Sequence, residues 1–356
     1  MEQAGTIQPA IGRARRVRRS GLMRLAAAAA AVLWFGLGLY GIAEYVHHYW
    51  LYRGFPKPVT PAGTPAGRIE TVRFWSPSLH QTRKYIVYLP PGYAAAAARG
   101  ERFPVMYLLH APPGRADGFI QAGALAVDAD VMTARHDIRP MIFVLPNGKS
   151  GTFANDTEWA NARAGPYESF VMDVVHNVDR RFATLADRQH RGIGGLSEGG
   201  YGALNIGLHH LRDFSVLQSW SGYYTQTPTA SFAGLSQGAL DANSPSFYLP
   251  ALVPEIHRLG LRVFLYQGIK DEIRTWRIRD FSRQLYRSGA YVEYGFYPGG
   301  HDWGLWRGQM PHMLRVASAW FSTPPTHDRM HGPPQARGGK PEHPRAGHPN
   351  PPVSGA

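Results

Sequence analysis

Gly195-Leu196-Ser197-Glu198-Gly199, continued by Gly200-Tyr201-Gly202-Ala203-Leu204, constrains this chain more than any other stretch. It fits the pattern G-x-S-x-G, in which a serine sits on a sharp turn between a buried strand and a helix, its hydroxyl thrust into a cleft. Arg191-Gly192-Ile193-Gly194 can form the strand, and the small residues after the serine let a helix pack close to a sheet. A glycine-rich turn without chemistry fits the same five residues, so the rest of the chain must decide.

Two later strand ends decide in favour of chemistry. Leu261–Tyr266 reads as a buried strand leading into Gln267-Gly268-Ile269-Lys270-Asp271, and Val292–Tyr297 as another leading into Pro298-Gly299-Gly300-His301-Asp302-Trp303. Open α/β sheets place their chemistry just past the C-terminal ends of strands. Ser197, Asp271 and His301 therefore fall where a nucleophile, an acid and a base belong, in that chain order. A serine hydroxyl is a poor nucleophile until a histidine accepts its proton, and an acid holds that histidine in the correct tautomer. Glu272 is the alternative acid; Asp271 is preferred as the first carboxylate beyond the strand.

Attack by a serine also needs two N–H donors for the oxyanion. One is expected from the backbone of Glu198, the residue after the nucleophile. The second should come from Leu108-Leu109-His110-Ala111-Pro112-Pro113-Gly114, the loop after an early strand. Proline has no N–H, so Ala111, or Gly114 with a shifted loop, must supply it.

The ends of the chain are read separately. Arg13 to Arg19 form a basic cluster closed by Arg24, and Leu25–Ala43 is a run of 19 uncharged, mostly apolar residues. That is long enough to cross a bilayer. Basic residues on its N-terminal side predict that this end stays in the cytoplasm, and Tyr45, Tyr49 and Trp50 suit the membrane–water interface beyond. A signal-anchor over 25–43 is expected, after a leader over 1–24 and before a linker over 44–67. A signal peptide cleaved after Gly41-Ile42-Ala43 is the alternative. A twin-arginine signal at Arg18-Arg19 is a weak match, since Gly21 stands where an apolar residue belongs. Residues 323–356 are rich in Pro, Gly, His and Arg and are expected to be disordered, because they cannot bury enough apolar surface. The four histidines there are too irregularly spaced to predict a metal site.

The net charge of +13 is concentrated at these ends. Residues 1–24 carry a net +5 and the tail +2, which leaves +6 for the remainder. A mildly basic domain without a nucleic-acid motif predicts no nucleic-acid partner. Cysteine is absent, so disulfides, zinc-thiolate sites and a cysteine nucleophile are excluded.

Residues 68–322 are expected to form one α/β domain. Strand-like runs at Ile69–Trp75, Lys84–Leu89, Pro104–Leu109, Met141–Leu145, Arg191–Leu196, Ser215–Trp220, Leu261–Tyr266 and Val292–Tyr297 alternate with helical stretches. The first two runs predict an antiparallel edge hairpin. An amphipathic helix is expected over 167–182, with others after Ser197, over 275–288 and over 309–321. Such alternation implies a mostly parallel sheet with helices on both faces.

Together these motifs resemble the esterase family of α/β-hydrolases that includes feruloyl esterases, S-formylglutathione hydrolases, enterochelin-type esterases and mycolyltransferases. The resemblance covers roughly residues 68–321. It rests on Ser76-Pro77-Ser78-Leu79, Val87-Tyr88-Leu89-Pro90-Pro91-Gly92-Tyr93, Tyr107-Leu108-Leu109-His110, the stretch from Gly194 to Leu204, Ser221-Gly222, and Pro298 to Trp303. It implies the α/β-hydrolase fold, cleavage of small-molecule or lipid esters without a cofactor or metal, and a triad of Ser197, Asp271 and His301. Two departures stand out. Ala111 and Pro112 replace a glycine and a non-proline, and Glu198 stands where an apolar residue is common. Thr157–Asn161 and Asp241–Pro245 resemble loops of membrane-associated members, which suggests that they line the acyl or alcohol pocket. His110, Trp159 and Trp303 are candidate substrate contacts, with a packed loop anchor as the alternative for Trp159. Trp306 is a second candidate wall beside the histidine.

Three functions follow in order. The first is an extracytoplasmic, membrane-anchored serine esterase. The second is an acyltransferase using the same acyl-enzyme, and the third is a non-catalytic envelope protein that keeps the fold.

Overall fold

The computed structural model describes residues 11–148, 156–271 and 275–322. The chain divides into two compact units, Met1–Pro58 and Val59–Ala356. The expected alternative acid Glu272 and the whole 323–356 tail lie outside the described residues.

The first unit is one helix, α1 (Ile11–Tyr52). Its stretch Met23–Tyr52 is 30 residues long and holds an 18-residue window of mean hydropathy 1.9, long and apolar enough to cross a membrane. Leu33, Trp34, Phe35, Leu37 and Tyr40 all stand exposed on it. The helix runs past both ends of the expected 25–43 segment. Hydropathy marks where apolar residues stop rather than where a helix stops, and alanine and arginine are good helix formers. Gly54, at φ 85°, and Pro56 are the first breakers beyond Tyr52. The first part of the expected 44–67 linker is therefore helical.

The second unit contains, in order, β1 (Arg68–Ser76), β2 (Gln81–Leu89), α2 (Tyr93–Ala98), β3 (Val105–Leu109), α3 (Gly118–Gln121), α4 (Leu125–Ala134) and β4 (Ile142–Pro146). A small hairpin, β5 (Asn161–Ala162) and β6 (Gly165–Pro166), precedes α5 (Tyr167–Arg181), β7 (Arg191–Leu196), α6 (Glu198–His209) and β8 (Val216–Trp220). Short helices α7 (Gln237–Ala242), α8 (Pro245–Tyr248) and α9 (Val253–Leu259) lead to β9 (Arg262–Gly268), α10 (Thr275–Arg287), β10 (Tyr291–Tyr297) and α11 (Trp303–Ser322).

Eight strands form one sheet in the order β1-β2-β4-β3-β7-β8-β9-β10. β1 and β2 are an antiparallel hairpin and β2 meets β4 antiparallel, while every pairing from β4 to β10 is parallel. This is the α/β-hydrolase arrangement, and all eight strand-like runs of the sequence are in it. Side chains alternate across each strand. Val105, Tyr107 and Leu109 face one core with Phe170, Val174 and Val178 of α5 and Leu204 of α6. Met106 and Leu108 face the other with Leu125 and Met132 of α4 and Met310 and Leu314 of α11.

α11 begins at Trp303, six residues before the expected start. Pro311 lies inside it, as it does in the expected 309–321 segment. The start is fixed elsewhere: Asp302 Oδ1 accepts from the N–H groups of Gly304 at 2.7 Å and Leu305 at 3.2 Å. Those are orphan donors of the first turn, and an aspartate side chain is a good cap for them. The short helices between β8 and β9 were not foreseen, since none is long enough to show a periodicity.

Candidate active site

The site forms at the C-terminal ends of β7, β9 and β10. Ser197 joins β7 to α6 with φ 53° and ψ −121°, a conformation that costs a side-chain-bearing residue free energy. The neighbouring glycines make that turn possible. A Cβ on Gly199 would collide with the Leu109 carbonyl of β3, and one on Gly195 with the backbone of Gly199 and Leu109. Ser197 N–H is fixed by the Trp220 carbonyl at 2.8 Å. The serine side chain stands at the N-terminus of α6, the positive end of the helix dipole.

His301 Nε2 lies 2.8 Å from Ser197 Oγ. Its Nδ1 lies 3.1 and 3.0 Å from the two carboxylate oxygens of Asp271. The Asp271 side chain is fully buried, whereas that of His301 is 32% exposed. Asp271 is held in a turn by its N–H to the Gly268 carbonyl, and His301 immediately precedes the cap of α11. The imidazole packs edge-on against Trp306, ring centroids 5.2 Å apart. Trp306 donates to Ser221 Oγ at 3.3 Å and meets Trp303 at 5.5 Å. Trp303 is half-buried, so it retains surface beside the histidine.

The two prolines of the β3 loop leave one candidate for the second donor. Gly114 N–H is committed to the Ala111 carbonyl at 2.8 Å. Ala111 N–H donates to nothing among the described residues, and Glu198, the first residue of α6, has no partner within its own helix. The end of β3 lies against the first turn of α6, because a Cβ on Gly199 would meet the Leu109 and His110 carbonyls.

His110 and Trp159 turn inward and offer almost no surface to a ligand, at 3% and 1% exposed. His110 Nε2 accepts from Gly148 N–H at 3.2 Å, and burial lowers the imidazole's pKa to about 4, so the ring is neutral. Trp159 Nε1 donates to the His110 carbonyl at 2.8 Å. The two rings meet edge to face at 5.1 Å. Trp159 is thus placed as a loop anchor rather than as a cleft wall.

Around Trp159 lies a group that the sequence did not bring together. Glu158 and Trp159 both have positive φ, 51° and 50°. Neither is a glycine, so nothing in the sequence marks the bend. Glu158 accepts hydrogen bonds from Tyr223 and, at 2.9 Å, from Gln226. Burial, with Asp156 nearby, raises its pKa to about 7 against those hydrogen bonds. Thr157 Oγ1 donates to Glu198 Oε1 at 3.2 Å and accepts from Trp159 N–H at 3.2 Å. Burial, then Asp156 and Glu158, push the Glu198 carboxyl well above the usual range. Among the described residues no three His, Cys, Asp or Glu side chains gather to hold a metal ion.

Comparison with known proteins finds similar chains. The family model Esterase matches residues 76–317. An endo-1,4-beta-xylanase/feruloyl esterase of Xylanibacter ruminicola is 32% identical over 139 residues, 38% of this chain and 19% of that protein. An esterase of Mycobacterium tuberculosis is 24% identical over 258 residues, 64% of this chain and 53% of that one. The chain therefore spans about a fifth to about half of the length of these relatives. Among solved structures, a ferulic acid esterase superimposes with a TM-score of 0.64 at 23% identity, covering 72% of this chain and 99% of its own.

Proposed function

The chain belongs to the Esterase family, and from that premise we propose that it is a serine hydrolase of carboxylic esters, anchored by α1 with residues 68–322 outside the cytoplasm. The observation that carries the reading is the run of contacts from Ser197 Oγ through His301 to the buried Asp271.

In this mechanism His301 Nε2 takes the Ser197 proton as Oγ attacks the ester carbonyl carbon. Asp271 holds Nδ1–H and stabilises the imidazolium that forms. The carbonyl oxygen becomes an oxyanion and takes hydrogen bonds from the N–H groups of Glu198 and Ala111. His301 then gives its proton to the leaving alcohol as the C–O bond breaks, leaving an acyl-serine. A water, deprotonated by the same imidazole, releases the acid. Trp303 and Trp306 wall the histidine side of the cleft and would pack on an apolar acyl or aryl group. The relatives are described as feruloyl esterases and esterases, and esters of aromatic or short-chain acids are the first substrates to try.

The arginines in the first part of α1, Arg13 to Arg24, orient its apolar stretch with the N-terminal end in the cytoplasm, and Tyr45, Tyr49 and Trp50 suit the far interface. The test of the activity is hydrolysis of methyl ferulate and p-nitrophenyl acetate by the full chain in detergent, beside Ser197→Ala. Turnover lost in the variant supports the reading; equal turnover in both refutes it.

A further inference from the structure

The peptide unit between His110 and Ala111 has its two polar ends in different hands. Its carbonyl accepts the indole N–H of Trp159 at 2.8 Å, and its N–H, that of Ala111, has no partner among the described residues. The only cis peptide bond recorded among the described residues is Pro112–Pro113, so this unit is trans and its C=O and N–H point in opposite directions. Whatever fixes the carbonyl therefore aims the N–H.

Three observations show that Trp159 is itself held. It is 1% exposed. Its Cβ leaves no room for a side chain on Gly202 of α6, where a built Cβ would come within 2.5 Å. Its backbone N–H is tied to Thr157 Oγ1, which in turn donates to Glu198. The positive φ of both Glu158 and Trp159 is strain that the surrounding contacts must sustain, and such strain gathers at functional sites.

We propose that Trp159 is the positioning residue of the oxyanion hole: its indole N–H locks the His110 carbonyl, which turns the Ala111 N–H toward the Ser197 side of the peptide, while Thr157 ties the same loop to Glu198, the other donor. This rests on the serine-hydrolase reading. It also gives the Ala111-Pro112-Pro113 loop a way to present its one free N–H without the glycine that family members carry there. Trp159 touches no substrate; it acts through Ala111.

The test is Trp159→Phe in the full chain, which keeps a ring and removes the donor. With p-nitrophenyl acetate, kcat is expected to fall roughly 10- to 100-fold with KM within about twofold, since a loosened donor loses part of what a lost one costs. Affinity for an aryl trifluoromethyl ketone, which forms a tetrahedral adduct on serine, should fall by the same factor as kcat. Active sites are counted by fluorophosphonate titration, so that unfolded protein does not enter kcat. Unchanged kcat, or a loss carried by KM with unchanged ketone affinity, overturns the proposal. Should Trp159→Phe fail to fold, Thr157→Val keeps the indole and removes the tie to Glu198; it should show the same kcat-only loss, and wild-type kcat there overturns the proposal. A wild-type protein that neither turns over nor titrates defeats the serine-hydrolase reading and this inference with it, whereas an active wild type with an unaffected variant defeats this inference alone.

Discussion

His301 Nε2 and Ser197 Oγ lie 2.8 Å apart although 104 residues separate them in the chain. The contact exists because β7 and β10 run parallel and end on the same C-terminal side of the sheet, with β8 and β9 between them. Ser197 follows the last residue of β7 directly and His301 comes within one short turn of the end of β10, so neither position depends on a long loop.

Asp271 is the third member, and its fully buried side chain cannot be replaced by water. Asp271→Asn keeps shape but favours the wrong imidazole tautomer, and kcat is expected to fall by roughly 10³–10⁴ with little change in KM. Steady-state kinetics on p-nitrophenyl acetate check this. Activity within tenfold of wild type would move the acid's role to Glu272, the next residue.

Gly202 and Gly308 make opposite predictions for the same substitution. A Cβ on Gly202 would press on Trp159, while one on Gly308 of α11 meets nothing within 4 Å. Gly202→Ala is expected to destabilise by about 1–3 kcal/mol through overpacking and to lower kcat by shifting Trp159. Gly308→Ala, at an exposed helical site, is expected to stabilise by about 0.5–1 kcal/mol. Denaturant unfolding of the two variants separates them.

Glu158 predicts a pH dependence of stability. Its folded pKa, about 7, is raised from 4.5, chiefly by burial. The folded state therefore holds the proton more tightly than the unfolded chain. Its contribution is fully present below about pH 4.5 and is lost as pH rises through about 7. Asp156, Glu198 and Tyr223 lie close to the same carboxyl. Melting temperature measured from pH 5 to 8 should fall more steeply in wild type than in Glu158→Gln. Parallel profiles would contradict the assignment.

The sheet and the meeting of Ser197, His301 and Asp271 were legible in the sequence for one reason: buried strands are short apolar runs, and polar groups gather where those runs stop. Leu261–Tyr266 followed by Asp271, and Val292–Tyr297 followed by His301, carry both signals at once. The start of α11 was not legible, because the Asp302 cap that sets it lies next to His301 in a stretch read as a strand-end turn. The role of Trp159 was open between anchor and ligand contact. Its burial and its indole hydrogen bond to the His110 carbonyl place it inward, on a bend whose two positive-φ residues, neither of them glycine, the sequence does not mark. The β3 loop looked deficient because two prolines follow Ala111; the turn that commits Gly114 N–H to the Ala111 carbonyl leaves the Ala111 N–H without a partner among the described residues.

The central claim is that Ser197 is an activated nucleophile, and covalent capture tests it most directly. Incubation of the full chain in detergent with a fluorophosphonate, followed by peptide mass spectrometry, should find one adduct, on Ser197. The adduct should be absent from Ser197→Ala and slowed at least about 10³-fold in His301→Ala. A wild-type protein that stays unlabelled, or that labels at another serine at an equal rate, would contradict the account.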